Sequence, residues 1–387
     1  MIIAHSPCRY EVKLIQQIVK AIWDKLPTSF LSSTKDLVGI DSRVEEIISY
    51  LGIGLTDVRI VGICGIGGVG KSTIARVAYE RLFGQFDAGC FLANIREVAQ
   101  KEGLDFLQKM LLSKILEEKN TRIDNVYEGV QLIRNRLQTQ SILLVLDDVD
   151  QLEQLNMLAA ERDFFGLGSR IIITSRDKKL LRMHNVDQIY EPKKLSKEEA
   201  LELFSLKSFK MKHPPKDYIR ISNIFVNYAG GLPLALKVIG SYLFRRTIQY
   251  WKSALDKILL YPELQIFNVL KISFDGLEYM EKKIFLHIAC FFEGVDKDRV
   301  IEILGYLGFY SYYGVHNLID KSLLEVSSDN RLCMHYQIQQ MGREIVLQEC
   351  VEEPGQRSRL WTYRDIDHVL RNNTVSGYIY FLLLFFN

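Results

Sequence analysis

The sequence predicts an α/β domain with a parallel sheet, followed by a helical domain and a winged-helix domain. Short apolar runs alternate with helical patterns between Val58 and Glu191, which is typical of a sheet covered by helices on both faces. From Leu195 onward the apolar positions recur at helical spacing instead. Several helices and a short hairpin then precede another helical pattern, and this order of elements indicates a winged helix.

The length and composition fit a protein of several folded domains. The chain has 387 residues, of which 48% are hydrophobic, and 49 basic against 47 acidic residues give a net charge of +2. This balance gives no general electrostatic reason to expect a nucleic-acid or membrane partner. The six cysteines lie far apart and form no metal-binding or disulfide pattern, so we expect a reducing compartment; they are Cys8, Cys64, Cys90, Cys290, Cys333 and Cys350.

Both ends of the chain carry apolar segments. Residues 14–26 show helical spacing and are followed by Pro27, so an amphipathic helix is expected there. The apolar run at 378–386 is shorter than the ~20 residues that cross a bilayer, and we expect an irregular tail. The start of the chain lacks the basic and apolar regions of a signal peptide.

The elements between these ends follow from their apolar spacing. We expect strands at residues 58–63, 90–92, 142–146, 171–174 and 188–190. Ser196 and Glu199 form a capping box, and Pro233 begins another helix after Gly230 and Gly231. The later pattern predicts helices within 266–292, at 315–321 and at 337–347, with a hairpin formed by 323–326 and 331–334. The predicted units are a helix and linker at 1–35, the α/β domain at 36–192, a helical domain at 193–264, a winged-helix domain at 265–370 and an apolar tail at 371–387.

A P-loop pattern lies between the first predicted strand and a helix. Glycines in this pattern allow backbone N–H groups to turn toward phosphate oxygens, and the helix N-terminus adds positive potential. We expect Lys71 to reach the β and γ phosphates, Ser72 to bind Mg²⁺ and Thr73 to hold the α phosphate. A glycine-rich turn without a ligand is the alternative, but the strand before it and the helix after it disfavour that reading. The residues of the motif are Gly65, Gly67, Gly68, Val69, Gly70, Lys71, Ser72 and Thr73.

Charged residues follow two other predicted strands. Asp147 and Asp148 come directly after the apolar run 142–146, at the sheet edge where open α/β folds bind ligands. We expect Asp147 to belong to the Mg²⁺ site and Asp148 to orient or deprotonate an attacking water. Arg176 follows the next strand, where its guanidinium could contact the γ phosphate. Without the P-loop, the aspartates would indicate a turn and Arg176 a surface charge.

Several further motifs occur in the order found in one family. They are Leu37-Val38-Gly39-Ile40, the P-loop, the run ending in Asp147 to Asp150, Gly168 to Ile171, Gly231-Leu232-Pro233-Leu234 and Met334-His335. With them the chain resembles the NB-ARC region of plant TIR-NB-ARC-LRR disease-resistance proteins, from about residue 36 to residue 370. Asp150 and the segment 91–97 resemble the subclass with an N-terminal TIR domain.

The resemblance implies a P-loop NTPase domain, a helical ARC1 domain and a winged-helix ARC2 domain that close around ADP and open with ATP. It implies that Val38 and Gly39 contact adenine, that Pro233 packs on the base and that His335 touches the β phosphate of ADP. Each residue also has an ordinary structural role: proline suits the first turn of a helix, and a lone histidine beside a hairpin is commonly a core or surface residue.

The resemblance also implies binding partners, and the chain differs from the family pattern in several places. In a full-length relative they would be a TIR domain, leucine-rich repeats and pathogen effectors or host proteins, with homo-oligomers on activation, in the cytoplasm or the nucleus. The family usually has aspartate where this chain has Tyr336, which predicts a weakened off state. Most of the TIR domain and the repeats are missing, so a truncated product is expected.

Three functions compete at this stage. The first is a plant-immunity switch that binds ADP or ATP with Mg²⁺ and hydrolyses ATP slowly at most, or a truncated, non-signalling regulator derived from one. The second is an ATPase motor or small-molecule kinase, although the sequence supplies no substrate signature. The third is nucleic-acid binding through 315–347, where Lys321, Arg331 and Arg343 are mixed with acidic residues and form no basic stripe.

Overall fold

The computed structural model describes residues 37–116, 123–260, 262–374 and 380–381. The helix predicted at 14–26 lies outside these ranges. The described part of the chain has no helix that is both long enough and apolar enough to cross a membrane.

A five-stranded sheet forms the centre of the first part of the chain. Its strands are β1 (Arg59–Cys64), β2 (Ala88–Leu92), β3 (Ile142–Val149), β4 (Arg170–Ser175) and β5 (Gln188–Tyr190). The spatial order is β2-β3-β4-β1-β5, and every pair is parallel. The helices between and beside the strands are α1 (Ile40–Leu51), α2 (Lys71–Leu82), α3 (Ile95–Glu102), α4 (Leu104–Leu116), α5 (Val126–Leu137), α6 (Leu152–Leu158) and α7 (Lys178–Met183).

The strands are continuous apolar runs because both faces of the sheet are covered. Along β3, Ile142, Leu144 and Leu146 pack into one hydrophobic cluster, whereas Leu143 and Val145 pack into the cluster on the opposite face. All five side chains are fully buried. The parallel α/β prediction is therefore confirmed, and the carboxyl ends of β1, β3 and β4 meet at one edge.

Helices dominate the rest of the chain. They are α8 (Lys197–Phe209), α9 (Ile219–Ala229), α10 (Pro233–Leu243), α11 (Ile248–Leu260), α12 (Leu264–Asp275), α13 (Tyr279–His287), α14 (Lys297–Tyr306), α15 (Ser311–Asp320), α16 (Tyr336–Leu347) and α17 (Tyr363–Asn372). The antiparallel pair β6 (Glu325–Val326) and β7 (Leu332–Cys333) lies between α15 and α16, as the winged-helix prediction requires. One hydrophobic cluster contains side chains from helices α8 to α11 and from helices α12 to α16. The domain boundaries given above remain predictions.

Three predicted elements need correction. Strand β3 continues through both aspartates to Val149, and its register with β4 shifts after Leu146 by one extra residue, which forms a bulge. Helix α15 begins at Ser311 rather than at residue 315. Residues 380–381 are a short strand parallel to β8 (Arg359–Leu360), so the tail is not irregular at these two positions.

Candidate nucleotide site

A cavity of about 440 Å³ lies at the carboxyl edge of the sheet. The loop between β1 and α2 forms its floor, and the start of α10 and the side of α12 form its walls. Of the residues predicted for the site, those that line this cavity are Val38, Gly67, Gly68, Val69, Gly70, Lys71, Ser72, Thr73, Asp148, Arg176 and Pro233. Residues that are far apart in the sequence thus meet in one concave site.

The P-loop leaves backbone N–H groups available at the start of α2. Gly68 and Gly70 have φ angles of 84° and 105°, in the region that favours glycine. Helix α2 begins at Lys71, and among the described residues no side chain caps it and no acidic residue occupies its first turn. The first amides of a helix have no partner within the helix, so these groups can bind an anion.

Helix α10 begins against this loop. The Leu234 N–H donates to the Gly68 carbonyl oxygen at 3.2 Å, and a Cβ placed on Gly68 would lie 2.6 Å from the Leu234 Cβ. Pro233 is the first residue of α10 and lines the cavity beside Leu234. The second part of the chain therefore contacts the P-loop backbone directly.

Lys71 is buried beneath the loop. Its Nζ donates to the carbonyl oxygens of Gly65 at 2.7 Å and Ile66 at 3.0 Å. Burial, and to a smaller extent the nearby Arg176, lowers the pKa of Lys71 to about 8. A polyphosphate beside this ammonium group would favour its charged form. Gly65 itself does not line the cavity and faces a separate cleft.

The two aspartates have different surroundings. Asp147 is only 3% exposed, accepts a hydrogen bond from the Thr174 hydroxyl at 2.6 Å and does not line the cavity. Asp148 does line it, and one of its carboxylate oxygens lies 2.7 Å from Arg96 Nη2. The other oxygen lies 3.6 Å from Arg176 Nε. Asp148 is therefore held between two guanidinium groups.

Arg176 joins the sheet edge to helix α12. Its Nη1 donates to the Val269 carbonyl oxygen at 2.7 Å and to the Ser273 hydroxyl at 3.2 Å, both on α12. Burial lowers the pKa of Arg176, and the Asp148 carboxylate counteracts this effect. A guanidinium group retains its proton at neutral pH, so Arg176 remains a cation that faces the cavity.

Two family models match this chain. The NB-ARC domain model matches residues 40–214. The model of the winged-helix domain of Roq1-like disease resistance proteins matches residues 278–350. Residues 40–214 are thus an NB-ARC domain.

Plant disease-resistance proteins are among the relatives of this NB-ARC chain. It is 45% identical over 362 residues to disease resistance protein RUN1 of Vitis rotundifolia, covering 93% of this chain and 27% of RUN1. It is 43% identical over 367 residues to TMV resistance protein N of Nicotiana glutinosa, covering 93% of this chain and 32% of that protein. The NB-ARC chain thus spans about a quarter to a third of the length of these relatives.

A solved structure supports the fold of this NB-ARC chain. A Walker-type ATPase of Pyrococcus abyssi superposes with a TM-score of 0.51 at 14% identity, covering 80% of this chain and 97% of that protein. At this identity the similarity concerns the fold alone.

Besides Gly65 and Asp147, two further residues predicted for the NB-ARC site lie outside the cavity lining. Gly39 caps the start of α1 with φ 64°, and its carbonyl oxygen accepts a hydrogen bond from Arg43. His335 caps the start of α16: its Nδ1 accepts from the Gln337 N–H at 3.1 Å, and its Nε2 donates to the Gly230 carbonyl oxygen at 3.1 Å. Burial lowers the pKa of His335 to about 4, so the imidazole is neutral at pH 7. In this conformation, both nitrogens are engaged with the backbone.

Sequence reasoning missed three residues that shape the NB-ARC site. Arg96 lines the cavity and binds Asp148, Arg43 lines it and pairs with Glu199 at 3.0 Å, and Thr174 binds Asp147. Arg96 lies in the segment 91–97 used for the family resemblance, which was the one available signal. Its role depends on the packing of α3 against β3, and local spacing does not reveal that contact.

Proposed function

We propose that this NB-ARC chain is the nucleotide-binding switch region of a plant disease-resistance protein, with ADP in the off state and ATP in the on state. The main support for this proposal is the charge of the residues that line the cavity. Among the described residues that line it, one carboxylate, Asp148, faces five cations: Arg43, Lys71, Arg96, Arg176 and Lys237. Such a surplus of positive charge beside a P-loop favours a polyphosphate.

The proposed ligand would contact every part of the chain that lines the cavity. Val38, with Gly39 behind it, and Pro233 would hold the adenine, whereas the loop from Gly67 to Thr73 would hold the phosphates. Ser72 and Asp147 carry hard oxygen ligands that would hold Mg²⁺. Asp147 could still bind the ion, because a carboxylate accepts more bonds than the single one from Thr174. Bound Mg²⁺ would supply neutralisation of phosphate charge.

Slow hydrolysis is part of the proposal. Asp148 is the carboxylate placed to act on an attacking water, but it is engaged by Arg96 and Arg176. Because both Asp148 oxygens lie against guanidinium groups, the carboxylate is not free to orient a water, so we propose ATP turnover well below about 1 s⁻¹. Faster turnover would favour a motor or a kinase instead. In a longer protein, the partners would be a TIR domain, leucine-rich repeats and a pathogen or host protein, in the cytoplasm or nucleus.

The experiment that tests the switch is the nucleotide content of purified protein. We expect the parent to retain ADP and Lys71→Ala to retain at least tenfold less, because a hydrogen bond to a charged group contributes about 1.5 to 3 kcal/mol. Lys109→Ala is the matched control, since Lys109 pairs with Asp105 on the surface of α4 and is distant in sequence from the P-loop. If Lys71→Ala retains as much ADP as the parent, the P-loop assignment is wrong.

A further inference from the structure

Three charged side chains line both the nucleotide cavity and a second cavity beside it. The second cavity measures about 520 Å³, and Arg96, Asp148 and Arg176 line both. Its remaining charged residues are Glu97, Asp150, Asp177, Asp275 and Lys321. These three charged side chains, with the apolar Ile272, therefore form a partition with space on either side.

The partition is a carboxylate between two guanidinium groups. Arg96 Nη2 lies 2.7 Å from one Asp148 oxygen, and Arg176 Nε lies 3.6 Å from the other. The side chains are 18%, 21% and 18% exposed for Arg96, Asp148 and Arg176, so water screens these pairs less than it screens surface pairs. The shorter distance makes Arg96 the closer partner of the carboxylate.

The backbone fixes the carboxylate in this place. Asp148 lies in the bulge of β3 with φ 58°, a conformation that non-glycine residues rarely adopt. Its N–H donates to the Thr174 hydroxyl at 2.9 Å, and the same hydroxyl donates to Asp147 at 2.6 Å. The local strain thus directs one negative charge into a cavity that is otherwise lined by cations.

The cationic side chains that line the cavity differ in which other groups of the protein they bind. Arg43 pairs with Glu199, Lys71 binds the Gly65 and Ile66 carbonyl oxygens, and Arg176 also binds the Val269 carbonyl oxygen. For Arg96, the ion pair that the structure describes is the one with Asp148. An anion that enters the cavity would therefore compete with the Asp148 carboxylate for Arg96 and Arg176.

We infer that Arg96 is a specificity-determining residue: with Arg176 it holds Asp148 as an internal counter-anion, and the terminal phosphate of ATP competes with Asp148 for this pair of arginines. This inference rests on the proposed function of the site. ADP leaves the Asp148 pairing intact, whereas ATP places its additional negative charge beside the carboxylate. Arg96 offsets that repulsion, so the preference between ATP and ADP depends on it.

Opposite effects of two substitutions test the inference. We expect Arg96→Gln to weaken a non-hydrolysable ATP analogue relative to ADP by about ten- to a hundredfold, since one charged contact is lost. Asp148→Asn removes the competing charge, so it should strengthen the ATP analogue relative to ADP. Arg96→Gln should weaken the ATP analogue less in the Asp148→Asn background than in the parent, and this departure from additivity identifies coupling between the two side chains. The measurement is the Kd of each nucleotide with Mg²⁺ by titration calorimetry.

Controls separate this role from a structural one. Arg96→Lys keeps the charge and should restore much of the preference that Arg96→Gln loses. Arg81→Gln removes a surface arginine that pairs with Glu45, and it should leave both affinities unchanged. A loss of equal size for both nucleotides in Arg96→Gln, or an unchanged ratio in both single variants, would overturn the inference alone. If the parent binds neither nucleotide, the proposed function fails and the inference fails with it.

Discussion

Tyr336 lies where the resemblance to the family implies an aspartate. The ring lies edge-on to Tyr228 with 5.5 Å between centroids, and the residue is 37% exposed. It is the first residue of α16, a position where a carboxylate interacts favourably with the helix N-terminus. Restoring aspartate here would lose an aromatic contact of about 0.5 to 1.5 kcal/mol and gain about 0.3 to 1 kcal/mol from the helix. The fold should therefore tolerate the change.

We predict that Tyr336→Asp slows ADP release. The family pattern implies a carboxylate that steadies the closed state, and one charged contact of about 1.5 to 3 kcal/mol would slow release about ten- to a hundredfold. That is less than the ~5.5 kcal/mol needed to reverse a two-state population, so the bias would be partial. Release of a fluorescent ADP analogue measures the rate, with Tyr336→Asn as the uncharged control. Equal release from Tyr336→Asp and the parent would count against the prediction.

The residue types predicted much of the candidate site, but not which charged side chains pair with each other. The glycines, Lys71 and Ser72 could be predicted because a phosphate-binding turn constrains which residue types fit. Arg96 could not, because an arginine at the start of a helix resembles any surface charge until α3 is placed against β3. His335 was predicted to contact a phosphate, whereas in this conformation its nitrogens bind the Gly230 and Gln337 backbone. That role stays a prediction.

At the scale of elements, Gly68 is the glycine of the loop between β1 and α2 against which α10 packs. Gly68 has φ 84°, and a Cβ there would lie 2.6 Å from the Leu234 Cβ. We predict that Gly68→Ala destabilises the fold by about 1 to 3 kcal/mol, through backbone strain and the displacement of α10, and that it weakens ADP binding. Gly84→Ala is the matched control, since a Cβ on Gly84 meets no atom within 4 Å.

Urea unfolding and ADP titration of both glycine variants provide the check. Gly84→Ala should change the free energy of unfolding by less than about 0.5 kcal/mol, as surface substitutions usually do. If Gly68→Ala binds ADP as well as Gly84→Ala does, the contact between the loop and α10 does not shape the site.

Apolar runs located the strands because both faces of the sheet are buried, which leaves a strong signal in the sequence. The same signal placed the end of β3 too early, because the strand continues through the polar Asp147 and Asp148. The Thr174 hydroxyl donates to the Asp147 carboxylate and accepts from the Asp148 N–H. The strand order depends on pairing between distant segments, so spacing alone could not give it.

At the scale of the whole molecule, the cavity lies where the sheet meets the helical parts of the chain. Among the described residues, two ion pairs link the sheet side to the winged-helix side: Arg182 with Asp320 at 2.9 Å and Lys321 with Asp177 at 3.4 Å. Their side chains are partly exposed, and such pairs contribute about 0 to 1 kcal/mol each. A ligand that contacts the P-loop, α10 and α12 together can therefore change the stability of the assembled chain.

Calorimetric titration of the folded protein with ADP or ATP in the presence of Mg²⁺, followed by thermal melting of the same samples, is the most direct measurement of the central claim. The account predicts measurable heat of binding and a higher melting temperature, because a ligand at about 100 times its Kd adds about 2.7 kcal/mol to the free energy of unfolding. Neither heat nor a rise in melting temperature with either nucleotide would contradict it.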